Sequence, residues 1–378
     1  MTKQAKKENK PSIPKILDAR IKLLQKRLRH DEMDGLIVSN ANDILYLTGF
    51  VGEDSWLWVP ASGAGTTVVS DDRFKQHIPE EAPHLRVVMR DKNSGKAETL
   101  AQATARFLSR LKLERIGVQV AYLRVLERKA IVKAFSAKLI KDYDDKLLQQ
   151  RSIKDAQEIK CIQEAIRIQE LAFIEMRDHI KPGITEIELA GFLVYRMKCL
   201  GADDSGFKPI VAFDGHASHS HAIPDRRKLK KNSSILIDWG AKYNNYISDM
   251  TRVLNMGKPK KHLAEIHKVV EEALHIGIDT VAPGVTVREV DNAARNCLKK
   301  HGYKLDHGLG HGIGLFIHEL PSIGQHDTPL EPGQVITIEP GIYLGEKGGV
   351  RLEDDILVTP TGSKNLSSLP TDLEWSIL

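Results

Sequence analysis

Cysteines and long apolar runs are both scarce in this chain of 378 residues. The three cysteines, Cys161, Cys199 and Cys297, form no Cys-x-x-Cys pair, which argues against a disulfide scaffold or a thiolate zinc site and fits a reducing compartment. No apolar run approaches the roughly 20 residues that span a bilayer, and the charged N-terminus lacks the apolar core of a secretory signal. We therefore expect a cytoplasmic protein with no membrane partner.

The excess of positive over negative charge is also small. The net charge of +5 is small for this length, and much of the excess lies in residues 3–15 and 226–231. Residues 1–15 are rich in Lys, Asn and Pro and are predicted to form a disordered tail, whereas residues 226–231 are interpreted as a solvated loop. This balance gives a nucleic-acid partner little support, and we expect none.

The length and the pattern together predict two domains. Residues 16–150 alternate helical and strand patterns, which indicates an α/β domain, and they contain neither a metal-ligand spacing nor a glycine-rich phosphate loop. This part is interpreted as a structural or oligomerising domain. A long helical pattern begins at Asp155, so a second domain, residues 151–378, is predicted to start after a boundary near residues 147–153.

A faint repeat divides the second domain. Pro182-Gly-Ile-Thr185 and Pro283-Gly-Val-Thr286 each follow a helical segment, and each has a glutamate three residues after the threonine. Pro-Gly breaks the chain, the threonine can cap a new helix, and the glutamate can close a capping box. Such a start can recur by chance; the alternative is a domain of two related halves with a site between them.

Four carboxylates lie in or beside apolar strand patterns, where burial is costly unless the acid is paired or binds a metal. Asp238 and Asp249 flank a turn-like segment and are predicted to face each other across a hairpin; Glu339 and Glu353 do the same about residues 345–349. Like charges placed opposite each other destabilise a sheet. A cation would reconcile them, although a buried arginine is an equal alternative for either pair alone.

The segment His307-Gly-Leu-Gly-His311-Gly-Ile-Gly-Leu-Phe-Ile-His318-Glu319 supplies a nitrogen donor in His311. Its glycines leave room for an imidazole to reach a confined site, and its spacing is not that of the His-Glu-x-x-His zinc helix. Four carboxylates and one imidazole suit Mn²⁺, Co²⁺ or Fe²⁺ as well as Zn²⁺. Two such ions about 3.5–4 Å apart would activate a water and polarise a carbonyl.

The order of these five residues resembles that of the binuclear metallopeptidases of the pita-bread fold: methionine aminopeptidase, aminopeptidase P and proline dipeptidase. The resemblance covers residues 151–361, and its motifs are Leu-Ile-Asp238-Trp-Gly, Ser-Asp249-Met-Thr-Arg252, the His307–His311 segment, Ile-Glu339-Pro-Gly and Arg351-Leu-Glu353-Asp. Tyr46-Leu-Thr-Gly-Phe50 resembles the creatinase/prolidase N-terminal domain. The implied fold class is α/β (α+β), with a creatinase-like N-terminal domain followed by a pseudo-symmetric pita-bread catalytic domain.

The same resemblance assigns roles. Asp238 would hold one metal, His311 and Glu339 the other, and Asp249 and Glu353 would bridge the two, with Mn²⁺ expected first and Co²⁺, Zn²⁺ or Fe²⁺ as alternatives. Glu339 would also shuttle a proton, and His318 would stabilise the tetrahedral intermediate. His221, which lies 17 residues before Asp238, would contact the substrate near the scissile bond.

Four further side chains carry weaker assignments. His307 and Arg351 would contact the substrate, Arg351 also as a charge partner, and a purely structural role is an equal alternative for both. His216 and His219 are interpreted as polar loop residues.

The implied activity is hydrolysis of an Xaa-Pro bond, in dipeptides or at the N-terminus of longer peptides, by a metal-bridging hydroxide. The expected partners are small peptides with proline in second place and a second copy of the chain in a homodimer. Other specificity on the same fold, such as methionine removal, and a non-catalytic binding module are the alternatives. Phe316 stands where the family often has an acidic residue, a departure that concerns substrate preference rather than metal binding.

Overall fold

The computed structural model describes residues 14–63, 65–91, 98–134 and 139–378, and it divides into two units, residues 1–150 and 151–378. The predicted disordered tail, residues 1–15, lies outside the described residues except for its last two. Among the helices of the described ranges, none is both long enough and apolar enough to cross a membrane.

The first unit is an α/β unit. Six strands of its described part form one mixed sheet in the order β4-β3-β2-β1-β5-β6, which comprises β1 (Gly35–Val38), β2 (Trp56–Pro60), β3 (Thr67–Ser70), β4 (Arg86–Met89), β5 (Arg115–Val118) and β6 (Leu139–Asp142). The helices are α1 (Lys15–His30), α2 (Ala41–Thr48), α3 (His77–Glu81), α4 (Leu100–Leu108), α5 (Val125–Ala134) and α6 (Asp144–Ser152). Ile37, Trp58 and Ile116 of the sheet pack with Ala101 and Ile131 of α4 and α5 into one core.

The second unit alternates helix pairs and antiparallel strands. Its helices are α7 (Ala156–Arg177), α8 (Glu186–Cys199), α9 (Lys261–Thr280) and α10 (Val287–Lys300). The strands before α9 are β7 (Asp204–Ser205), β8 (Ile210–Phe213), β9 (Ser234–Trp239), β10 (Ala241–Tyr243), β11 (Tyr246–Ile247) and β12 (Met250–Asn255). Those after α10 are β13 (Gly310–Gly312), β14 (Glu319–Ile323), β15 (Val335–Ile338), β16 (Gly341–Tyr343), β17 (Gly349–Arg351), β18 (Asp354–Thr359) and β19 (Gly362–Asn365).

These elements form two halves of similar design. In the first half, α7 and α8 pack on the sheet β12-β9-β8 around a core that includes Phe173, Leu193 and Ile237. In the second, α9 and α10 pack on the sheet β14-β13-β15-β18-β19. The fold class implied by the resemblance is therefore confirmed.

The predicted capping boxes start the second helix of each pair. Thr185 Oγ1 accepts a hydrogen bond from the Glu188 backbone N–H at 3.3 Å, and Glu188 Oε2 accepts one from the Thr185 N–H at 2.8 Å. Thr286 and Glu289 repeat this arrangement at 3.2 and 2.8 Å. The two boxes satisfy backbone donors that would otherwise be unpaired at each helix start, so the repeat found in the sequence has a structural counterpart.

Candidate metal centre

The first pair of acids lies on a long hairpin whose register differs from the prediction. Thr251, not Asp249, is opposite Asp238, because the turn is centred on Asn244 and Asn245, one residue later than expected. Both asparagines have positive φ, 46° and 69°, as two-residue hairpin turns that follow the twist of a sheet require. The register is shifted by two residues, so Asp249 stays on the same face as Asp238, as its diagonal neighbour.

The second pair of acids lies on a hairpin with the predicted register. β15 pairs with β18 so that Ile338 faces Asp354, and β16 pairs with β17 so that Gly341 faces Arg351. Glu339 and Glu353 lie between these pairs and are opposite each other when either register is continued. A single β-bridge between Thr251 and Glu353 joins this hairpin to the first one. The carboxylates of both halves therefore meet at one place.

His311 reaches this place from β13, which runs between β14 and β15. Its backbone N–H donates to Thr337 Oγ1 at 3.1 Å. The flanking glycines are required by close backbone approach, because a Cβ at Gly310 would lie 2.0 Å from the Thr337 carbonyl oxygen and one at Gly312 would lie 2.2 Å from that of Leu320. The glycines thus let β13 pass close to its neighbours and bring the imidazole to the acids.

The donor atoms converge. Single donor atoms of Asp249, His311 and Glu353 all lie within 4.8 Å of one another. His311 Nε2 is 3.7 Å from Asp249 Oδ2 and 3.5 Å from Glu339 Oε1. Asp238 joins this group through Arg351, whose Nη2 donates to Asp238 Oδ2 at 2.6 Å and whose Nε lies 4.0 Å from Glu339 Oε2. All five predicted ligands are therefore brought to one buried site.

Burial dominates the electrostatics of this site. It raises the pKa of Asp249 and Glu353 well above the ordinary range, and repulsion from neighbouring carboxylates raises both further. Burial also raises the pKa of Glu339 to about 8, against the opposing charge of Arg351, and it lowers the pKa of His311 to about 4 with help from His318. Without a cation, the protein disfavours the charged form of each of these donors.

The residues fit divalent cations. Asp238 Oδ1 and Asp249 Oδ1 are both buried, and neither receives a hydrogen bond within the described part of the chain. Buried carboxylate oxygens without donors are costly, and a cation between them would satisfy both. An oxygen-rich set with one imidazole and no thiolate is typical of metal-dependent hydrolases rather than of structural zinc sites.

Three further predicted histidines surround the donors. The rings of His318 and His311 are nearly perpendicular, with centroids 4.4 Å apart. His221 is exposed, and it interacts electrostatically with both Asp238 and His318. His307 donates to or accepts from Tyr343 Oη at 3.1 Å. His216, interpreted as a loop residue, contacts the buried Glu186 carboxylate at 2.9 Å.

Arg351 is engaged with protein groups on every side. Besides Asp238, it donates to Tyr343 Oη at 2.9 Å, to Thr251 Oγ1 at 3.1 Å and to the Ser220 carbonyl oxygen at 3.3 Å. These contacts agree better with a role for Arg351 as a charge partner of the carboxylates than with direct binding of substrate.

Sequence reasoning missed three supporting residues. Thr251 Oγ1 donates to Glu353 Oε2 at 2.6 Å while it accepts from Arg351. The buried Asp355 carboxylate accepts from the Asp249 backbone N–H at 3.0 Å. Tyr343 links Arg351 to His307. Thr251 lies within one quoted motif and Asp355 directly follows another, but nothing in the sequence says that they touch ligands on the other hairpin.

Thr251→Val is expected to weaken metal affinity by about 10- to 100-fold, because valine keeps the shape but removes the hydroxyl that orients Glu353. Calorimetric titration of chelated protein with Mn²⁺ measures the change. Thr104→Val, at a buried threonine of the first unit, is the matched control and should bind Mn²⁺ as the unaltered protein does. Equal affinity in Thr251→Val would contradict the orienting role.

Comparisons with known proteins agree with this arrangement. Residues 160–360 match the model of metallopeptidase family M24, and residues 20–153 match the creatinase/prolidase N-terminal domain. An Xaa-Pro dipeptidase of Pyrococcus horikoshii is 31% identical over 366 residues, which cover 95% of this chain and 99% of that protein.

Two solved structures are similar over nearly the whole chain. The Xaa-Pro dipeptidase from Bacillus anthracis has a TM-score of 0.89 and 30% identity, with coverage of 96% of this chain and 100% of that one. The X-Pro aminopeptidase from Thermotoga maritima has a TM-score of 0.86 and 30% identity, with coverage of 95% and 99%. The chain belongs to metallopeptidase family M24 and carries a creatinase/prolidase N-terminal domain. Membership implies divalent metal ions, which the donor set fits.

Proposed function

We propose that this protein hydrolyses the bond between a first residue and a proline, in dipeptides or at the N-terminus of longer peptides, with two divalent metal ions, Mn²⁺ before Co²⁺, Zn²⁺ or Fe²⁺. The observation that carries the proposal is the convergence of four carboxylates and His311, with two buried carboxylate oxygens that lack donors. Similarity to an Xaa-Pro dipeptidase and an X-Pro aminopeptidase supports the proline preference.

The five donors have distinct proposed tasks. Asp249 and Glu353 would lie between the two ions, Asp238 would hold one, and His311 and Glu339 would hold the other. Arg351 neutralises Asp238 on its second oxygen and so leaves Oδ1 for a cation. When both ions are bound, the site gains the Lewis acidity that makes water acidic near neutrality and polarises the peptide carbonyl.

Proton movements fall to the protein's own side chains. We propose that a Glu339 carboxylate oxygen takes a proton from the attacking water and passes it to the leaving proline nitrogen. His318 would donate a hydrogen bond to the oxyanion of the tetrahedral intermediate, and the exposed His221 would contact the substrate beside it.

The two units suggest a division of labour. We propose that residues 151–378 form the catalytic domain and residues 16–150 a structural domain, through which two copies form a homodimer. The three cysteines, which form no disulfide in the structure's described ranges, support a reducing, cytoplasmic setting. Sedimentation equilibrium tests the dimer, and a monomer at micromolar concentration would exclude it.

Chelated protein is expected to be inactive, and Mn²⁺ is expected to restore cleavage of Ala-Pro, of Ala-Pro-Ala or of both. The reason is that the bound ions would supply the Lewis acidity that activates the water and polarises the peptide carbonyl. Product analysis by chromatography measures the rates after addition of Mn²⁺, Co²⁺ or Zn²⁺ to the chelated protein. Preference between the two peptides distinguishes a dipeptidase from an aminopeptidase.

Met-Ala and Ala-Ala are the matched control peptides. Faster cleavage of Met-Ala than of Ala-Pro would show another specificity on the same fold. If no metal restores cleavage of any peptide, the proposal is wrong, and a binding module takes its place.

A further inference from the structure

A fully buried ion cluster lies beside the metal centre and outside the set of ligands. Glu319 follows His318 directly and opens β14, and its side chain is only 3% exposed. Arg151 Nη2 donates to Glu319 Oε1, and Lys154 Nζ donates to Glu319 Oε2 at 3.3 Å. The side chains of Arg151 and Lys154 are 2% and 1% exposed, so all three charges are removed from water.

Arg151 lies in the last turn of α6, and Lys154 lies in the short connection between α6 and α7. Asp155 caps α7, and its backbone N–H donates to the Glu158 carboxylate at 3.0 Å. Glu158 also accepts from Tyr246 Oη at 2.9 Å. Burial lowers the pKa of Lys154, and the charges of Glu319 and Glu158 oppose this shift. Both cations therefore lie on or directly beside the ends of these two helices.

The anion organises the segment that carries His318. Glu319 Oε1 also accepts from the Phe316 backbone N–H at 2.9 Å, which closes the turn over residues 316–319. A Cβ at Gly314 would lie 2.7 Å from Glu319 Oε2, so the glycine gives this carboxylate its room. The Gly314 carbonyl oxygen accepts from the Ile247 N–H at 2.8 Å, which ties the start of the segment to the first hairpin.

Phe316 completes the arrangement. The Arg151 guanidinium lies over its ring, 5.1 Å from the centroid. An acidic residue at this position would compete with Glu319 for Arg151. The phenylalanine leaves both cations to Glu319 and stacks on one of them.

We propose that Glu319, held by Arg151 and Lys154, is a positioning residue that fixes the His318 imidazole against the metal ligands. The proposal rests on the proposed function, in which His318 touches the reacting carbonyl. Glu319 is the next residue after His318. The His318 side chain is itself exposed, and its ring packs against that of His311. An exposed imidazole has few contacts that fix its orientation. The buried contacts of Glu319 with Arg151 and Lys154, here called the clamp, fix the backbone next to His318 and so hold its ring in place.

A double-mutant cycle tests this. Glu319→Gln keeps the shape and removes the charge, and it is expected to lower kcat on Ala-Pro by about 10- to 100-fold, because a displacement near 1 Å has that effect. KM and bound Mn²⁺ should stay as they are. In a His318→Ala background, Glu319→Gln should lower kcat no further, since the group that it positions is already absent.

The control is Asp71→Asn in the first unit. Asp71 is a buried carboxylate that likewise accepts from two cations, Arg73 and Arg90, each at 2.7 Å, so its neutralisation weakens a comparable set of contacts without touching the site. It should lower the melting temperature and leave kcat unchanged. An equal fall in kcat from Glu319→Gln with and without His318 would show a merely structural role and overturn the proposal.

A crystal structure of Glu319→Gln gives a readout that needs no substrate. The His318 ring should move by about 1 Å or become disordered while the ligands stay in place. An unmoved ring overturns the positioning role even if the protein cleaves Xaa-Pro peptides, whereas a moved ring in a protein that cleaves none supports the clamp and overturns the proposed function alone. If Glu319→Gln does not fold, Arg151→Lys, which keeps the charge and loses the forked geometry, takes its place in the cycle and in the crystal.

Discussion

Glu353→Gln is expected to lower kcat/KM on an Xaa-Pro dipeptide by about 10³-fold or more and to reduce bound metal. Glu353 lies at the junction of the two hairpins, with its carboxylate beside Asp249 and His311. Glutamine has the same volume and can still accept from Thr251, so folding should survive. Its neutral amide cannot share charge between two cations. Steady-state kinetics and elemental analysis of dialysed protein measure the two effects.

Glu346→Gln is the control, because Glu346 is an exposed glutamate at the tip of the same hairpin. It should retain full activity and metal content. If Glu353→Gln also retained both, the proposed bridging role would be wrong.

Metal-free protein is expected to lose stability as the pH rises from 6.5 to 8. Burial raises the pKa of Glu339 from 4.5 to about 8, and it raises those of Asp249 and Glu353 well above their ordinary range. The folded state then holds protons that the unfolded chain has already released, so stability present at low pH is lost as these groups ionise. A group that is protonated in the folded state and ionised in the unfolded chain lowers the free energy of unfolding by about 1.4 kcal/mol per pH unit.

His311 opposes this loss of stability below pH 6.5 but not above it. The pKa of His311 falls from 6.5 to about 4, so the folded state binds fewer protons there, and stability rises with pH up to 6.5 and no further. Above pH 6.5 His311 no longer opposes the carboxylates. The raised pKa of Glu339 alone lowers the free energy of unfolding by about 2 kcal/mol between pH 6.5 and 8. This corresponds to a fall in melting temperature of about 4 °C or more, and the other acids add to this loss.

Calorimetry of chelated protein at pH 6.5 and 8 measures this. Saturating Mn²⁺ should reverse the slope, because binding requires the deprotonated ligands and therefore strengthens as the pH rises. Glu339→Gln should flatten the chelated slope in proportion to its share. Chelated protein that is more stable at pH 8 than at 6.5 would contradict the raised pKa values.

Local signals in the sequence were sufficient for much of the fold. The capping boxes at Thr185 and Thr286 follow from residues three apart, and the register of Glu339 with Glu353 follows from the chain between them. The register of Asp238 was wrong by two residues because two asparagines with positive φ form a tighter turn, centred later. Face alternation preserved the site in spite of this error.

Contacts between the hairpins could not be predicted in this way. The hydroxyl of Thr251 matters because a strand 102 residues away along the chain bridges to it. The Arg151–Glu319 contact spans 168 residues. No periodicity relates such positions, and their partners are set by how the two halves pack. The strand patterns and the family resemblance pointed to the predicted ligands and to Arg351 as a charge partner. Neither pointed to Thr251, Asp355 or Tyr343 as supporting groups.

The β-bridge between Thr251 and Glu353 makes the geometry of the metal centre depend on how the two halves pack together. Asp238 and Asp249 belong to one half and His311, Glu339 and Glu353 to the other, so neither half alone offers the full donor set. Ions bound by these donors would therefore act as a cross-link whose strength depends on how the two halves are aligned. Loosened packing around α9 and α10 would first appear as weaker metal binding, before any loss of helix.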